Sequence, residues 1–163
     1  MTAHSITTTE GDEMTEERRI KLSTKEYLQQ VYRISQKVKR LRHRREDLRN
    51  DLYSLGSPAG SMDADKVQTS MSGDSMLRLI AKVDLLERDI VRELEVLENR
   101  KSVIVAQIEE LSDDRYKTLL FERYVLLRSW DQIADDMGYQ LKWVYDLHGQ
   151  ALLSFAEHHK QGE

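Results

Sequence analysis

Apolar residues fall at Tyr27, Val31, Ile34, Val38, Leu41, Leu48, Leu52 and Leu55, in steps that alternate four and three. That spacing is a heptad seam along one helix, with Arg45 as its single break. A polar residue at such a place either fixes register or extends its charged end to water. A second seam runs through Ile80, Val83, Ile90, Leu94, Leu97, Ile104, Ile108 and Leu111, and five of its members recur at strict sevens. The pattern predicts two long helices, over about 23–55 and 75–111, spanning roughly 50 and 55 Å at 1.5 Å per residue. Their matched lengths predict an antiparallel hairpin that buries both seams.

Glycine and proline divide the chain. The only proline, Pro58, and the glycines Gly56, Gly60 and Gly73 fall in one polar segment. A loop over 56–74 is expected there. The first helix is expected to begin at Ser23, because Ser23 and Glu26 have capping-box spacing and Leu22 and Tyr27 occupy the two staple positions. Residues 1–21 are polar and aperiodic and read as a disordered tail. Met14 lies near the first structured residue and offers an alternative start of translation. The domain boundaries expected are therefore a tail over 1–21, a helical hairpin over 22–111, a C-terminal domain over 112–158 and a tail over 159–163.

A third helix begins in "LSDDRYKTLLFERYVLL", with Ser112 as its cap and Asp113 and Asp114 at the positive end of its dipole. Tyr116, Leu119, Leu120, Tyr124 and Leu127 form its apolar face. Two short helices follow, over about 130–137 and 141–157, divided at "MGYQ". Ile133 and Ala134 face inward on the first of them. Met137 closes the corner, and Gly138 suits the left-handed conformation that ends a helix. Val144, Leu147, Ala151, Leu152 and Phe155 face inward on the second. Such spacing describes a helix-turn-helix.

The stretch "RYVLLRSWDQIADDMGYQLKWVYDLHGQALLSF" resembles region four of bacterial sigma factors, the domain that reads the promoter −35 element. It resembles more closely the small phage-encoded proteins of Gram-positive hosts, sigma-like late transcription regulators of the ArpU and RinA kind. The resemblance covers residues 23 to 157 and is most specific at the C-terminal end. It implies an all-α protein, a coiled-coil hairpin followed by the helix-turn-helix, that regulates transcription by binding promoter DNA, host RNA polymerase or both. By register with that family, the groove-facing residues are Leu141, Lys142, Tyr145 and Asp146, with Trp143 flanking. Two departures stand out. Gln140 replaces the family's usual serine, a better helix cap. Asp146 and Lys142 stand where the family favours arginine. A carboxylate can accept a hydrogen bond from cytosine N4, but it repels phosphate.

Charge sharpens the question. The chain holds 25 Lys+Arg against 29 Asp+Glu, a net charge of −4. No overall basic footprint for nucleic acid exists, so any such binding needs a local patch. One dense basic run is present: Lys37, Lys39, Arg40, Arg42, Arg44, Arg45 and Arg49 in the first helix. It reads either as a set of phosphate contacts or as a coiled-coil face paired with Glu87, Asp89, Glu93, Glu95 and Glu98 of the second helix. The alternative to DNA binding is a coiled-coil adaptor whose acidic helix-turn-helix binds protein.

The remaining chemistry is sparse. There is no cysteine, so disulfides and thiolate metal sites are excluded. His158 and His159 read as a frayed terminus rather than as metal ligands. Trp130 is expected to anchor the corner and His148 to be packed or half-exposed. Trp143 is divided between core and surface. Gly149 is expected to permit close helix packing. With no nucleophile–base pair, phosphate loop or paired carboxylates, the expectation is a non-enzyme with no cofactor, metal or small-molecule substrate. No apolar run long enough for a membrane span occurs, and the expected location is the bacterial cytoplasm. The long seams lean towards a homodimer.

Overall fold

The computed structural model describes residues 10–56 and 73–160, and all the regular structure among them is helical. The elements are α1 (Glu10–Leu28), α2 (Gln30–Gly56), α3 (Gly73–Glu109), α4 (Asp114–Leu120), a π-helical turn (Phe121–Val125), α5 (Trp130–Met137) and α6 (Leu141–Lys160). The expected tail over 1–9, the stretch 57–72 of the expected loop, residues 161–163 and the side chain of Leu55 lie outside the described residues. No described helix is long and apolar enough to cross a membrane.

The chain divides into two compact units, Ile34–Leu97 and the remainder. The expected boundary at 111/112 is not where they part. In the Ile34–Leu97 unit Val38, Val83, Leu86, Ile90 and Leu97 are buried. Leu86 is absent from the expected seam, and Ile80, expected within it, is exposed. The two helices meet directly where Lys37 Nζ reaches Glu93 Oε1 at 2.5 Å. Arg45 occupies its seam position as anticipated, and its Nε is buried without a hydrogen-bond partner.

The other unit differs from expectation at its start. Residues 10–21, read as tail, are helical, and α1 packs against α6. Ser23 is therefore no N-cap but lies inside α1, and Leu22 is exposed, so neither the capping box nor the staple forms. The local Ser-x-x-Glu signal is overridden by tertiary contact. Thr24 and Leu28 are buried, and Tyr27 stands 6.2 Å from Phe155 of α6. Thr24 is accommodated because its hydroxyl donates to the Ile20 carbonyl, leaving its methyl group to pack. The helical ladder interrupts at Gln29, yet Gln29 N–H donates to Lys25 O and Arg33 N–H to Gln29 O, so the chain continues directly into α2.

α4 is capped by Asp113, not Ser112: the Asp113 carboxylate accepts from the Arg115 backbone N–H at 2.9 Å. Its apolar face is buried at Leu119, Leu120 and Tyr124, with Val125 where Leu127 was expected. After Leu120 the helix widens, so that Leu126 N–H bonds to Phe121 O, five residues back. Leu127 then takes φ 59°, a left-handed conformation rare for leucine. The turn is held by Arg128 N–H donating to Glu122 O and by Arg123 Nη1 donating to Arg128 O.

Candidate nucleic-acid interface

α5 owes both its ends to sequence. At its start, Ser129 Oγ accepts from Gln132 N–H while Gln132 Oε1 accepts from Ser129 N–H, a reciprocal capping box. At its end Gly138 takes φ 68°, Gly138 N–H bonds to Asp135 O and Tyr139 N–H to Ala134 O. This Schellman arrangement reverses the chain within a few residues, as the glycine predicted. α6 begins at Leu141, with Val144 N–H bonded to Gln140 O.

Burial along α5 and α6 follows the expected pattern. Ile133 and Ala134 are buried on α5, and Val144, Leu147, Ala151, Leu152 and Phe155 on α6. With those positions inward, Leu141, Lys142, Trp143, Tyr145 and Asp146 are all exposed. Lys142 and Asp146, one helical turn apart, share the face opposite Val144 and Ala151. Trp143, 38% exposed, lies at the surface with its ring 4.0 Å from that of Tyr139. The two rings are tilted by 50° against each other, and both residues remain partly exposed.

Behind this face sits a packed aromatic cluster. The Trp130 ring meets Tyr145 at 5.2 Å and His148 at 4.8 Å, both edge-on, and the Arg123 guanidinium lies 4.4 Å from its centroid. Trp130 thus anchors the corner, as its position suggested, and also fixes the base of the exposed Tyr145 ring. His148 lies against Tyr124, its Nε2 2.8 Å from the hydroxyl. Burial, with the positive charges of Lys25 and Arg123 adding to it, lowers the His148 pKa from 6.5 to about 4. Burial also raises the Tyr124 phenol above its ordinary value. Both rings are therefore neutral at pH 7.

The field around the turn is acidic. Asp136 is neutralised by Arg128, which also holds Glu122 at 2.9 Å. Asp131, Asp135 and Asp146 are exposed and have no cation at ion-pair distance among the described residues. Lys142 is the exposed cation of α6's first two turns.

The basic run lies on α2. Lys37, Lys39, Arg40, Arg42 and Arg44 are exposed, while Arg45 and Arg49 are half-buried. Of the five acids expected to oppose it, Glu93 alone pairs with α2 among the described residues, through Lys37. Asp89 pairs with Arg92 and Glu98 with Lys101, each along its own helix. Arg49 is held by the Tyr53 hydroxyl at 3.4 Å. The expected ladder of interhelical ion pairs is thus reduced to one rung.

Two smaller readings change. Gly149 is not required by packing: a methyl group there would meet only Lys21 Nζ and Cε, at 3.8 and 3.9 Å, which is ordinary contact. His159 is not frayed: it is helical, and its ring lies 4.3 Å from that of Phe155. No group of three or more metal-binding side chains occurs among the described residues. Sequence reasoning missed the Ser129–Gln132 capping box, whose Ser-x-x-Gln spacing was available, and the Arg123–Trp130 contact, for which no local signal exists.

No family model, no curated protein and no solved structure matches this chain.

Proposed function

We propose that the protein is a phage or prophage transcription regulator that presents α6 to promoter DNA and/or host RNA polymerase. In this reading Ile34–Leu97 is an antiparallel helical pair and α5–Gly138–α6 is a helix-turn-helix like that of sigma region four. One observation carries it most. The five residues assigned to the groove by register, Leu141, Lys142, Trp143, Tyr145 and Asp146, are the exposed ones in the first two turns of α6, which packs its apolar side on α1, α4 and α5. The left-handed Gly138 and the Schellman bonds supply the abrupt turn that such a motif needs.

A second reading is favoured by the charge. Asp131, Asp135 and Asp146 around exposed Tyr139, Trp143 and Tyr145 suit a protein partner better than a phosphate backbone. The protein is then a non-enzymatic adaptor. Mobility shifts on the intergenic DNA flanking its gene, with and without bacterial RNA polymerase, separate the two. The regulator reading expects a salt-dependent shift of DNA alone or a supershift with polymerase. Retention on polymerase in DNA-independent form supports the adaptor, and retention on neither sinks both.

A further inference from the structure

The positive charge missing from α6 is present on α2. From Gln36 to Arg45 the sequence contains no acid. Lys37, Lys39, Arg40, Arg42 and Arg44 are exposed there, and His43 with them. Lys37 is tied to Glu93 and His43 stands 4.0 Å from Asp47. Lys39, Arg40, Arg42 and Arg44 have no carboxylate at ion-pair distance among the described residues. Of the α3 acids, Asp89 is engaged by Arg92 and Glu98 by Lys101, and Glu87 acts on Arg49.

The arrangement of these cations matters. Lys37, Arg40 and Arg44 follow helical spacing on one side of α2, and Lys39 and Arg42 on the other. Val38, which faces inward between them, is buried, and Leu41 is half-buried. The two flanks of α2 beside its buried side are therefore positive over roughly 10 Å of helix axis, with Gln36 and His43 between them on the outermost side. Like charges this close repel one another, and that cost is relieved when a polyanion neutralises them. Because Val38 and Leu41 occupy the seam, α2 cannot expose its whole circumference to a groove. Phosphate contact needs only charge and reach, which these exposed lysines and arginines supply.

We infer that the exposed cations of α2, Lys39, Arg40, Arg42 and Arg44 foremost, form a sequence-independent grip on the phosphate backbone of duplex DNA. The inference rests on the nucleic-acid branch of the proposed function and assigns its affinity to a different element. Phosphate contacts hold and orient a protein on the duplex, and α6 is left to select the site.

The test is the salt dependence of binding to a 20-base-pair duplex of unrelated sequence, read by fluorescence anisotropy from about 50 to 200 mM salt. Arg40→Gln/Arg44→Gln keeps good helix formers at exposed positions, and an unchanged circular dichroism melt verifies the fold. Removing one phosphate-neutralising cation should reduce the slope of log K against log salt by about one. The double variant is therefore expected to bind roughly tenfold more weakly at low salt, with a slope shallower by about two. A control variant with the same charge change on α3, Lys82→Gln/Arg88→Gln, should leave the slope unaltered. Equal losses in the two variants would overturn the inference, because net charge alone would then explain the binding. No measurable duplex binding by the unmodified protein would overturn it too. Loss confined to α6 variants would also overturn it while leaving the proposed function standing. Loss confined to α2 variants, with α6 changes silent on every promoter and on polymerase, would do the reverse.

Discussion

The hydroxyl of Tyr124 lies 2.8 Å from Nε2 of His148, joining the π-helical turn after α4 to the middle of α6, with Trp130 packed edge-on against the same imidazole. One titratable ring is thereby built into the support of the exposed α6 face. Also near it are Arg123, over Trp130, and Lys25 of α1, whose charges disfavour a proton on it.

That relationship sets a pH dependence. The folded pKa of His148, about 4, is below the ordinary value of 6.5, so the unfolded chain binds the proton more readily. Stability from this group is complete above pH 6.5 and is lost as pH falls towards 4. The limiting loss is on the order of 3 kcal/mol. Denaturant melts between about pH 7 and 5, above most carboxylate titrations, should show stability declining with acid. His148→Gln should flatten that decline, and an identical decline in the variant would remove His148 as its cause.

Gly138 and Gly149 should respond in opposite directions. Gly138 is left-handed, so Gly138→Ala should cost about 1 kcal/mol or more. Gly149 is helical with room for a methyl group, so Gly149→Ala should gain about 0.5–1 kcal/mol. Urea midpoints of the two variants give both signs.

Arg45 should be a net liability to stability. Its Nε is buried on the seam without a partner, and an unsatisfied buried donor costs about 1–3 kcal/mol. Arg45→Leu completes the heptad and should raise the thermal midpoint by roughly 2–6 °C in a chain of this size. A lowered midpoint would mean that the guanidinium serves as a register-fixing group.

Much of this molecule is legible in its sequence where local chemistry and global packing agree. The end of α5 and the start of α6 follow from Gly138 and from inward Ile133, Ala134, Val144 and Leu147. The buried line of α3 follows from Val83, Ile90, Leu97 and Ile104, with buried Leu111 just past its end. α1 is hidden because its buried side includes Thr24, a polar residue satisfied within its own helix, and because its support comes from Phe155, near the other end of the chain. Ser23 then offers a local start signal that the packing overrides. The π turn and the left-handed Leu127 carry no glycine to announce them. The outward positions of Leu141, Lys142, Tyr145 and Asp146 follow from the inward spacing of α6, whereas that spacing leaves Trp143 divided between core and surface, and the pairing state of the α2 cations depends on side-chain reach across helices.

If the exposed face of α6 is the working surface of the protein, residues 142 and 146 report it most directly. Asp146 lies about one turn into α6, on the side opposite the buried Val144. The measurement is the affinity for duplex DNA, and its salt slope, of Asp146→Arg and Lys142→Ala beside the unmodified protein. Asp146→Arg should bind more tightly with a slope steeper by about one, and Lys142→Ala more weakly with a slope shallower by about one. If both changes leave DNA affinity untouched while Trp143→Ala abolishes a protein complex, α6 is a protein-docking surface and does not read DNA.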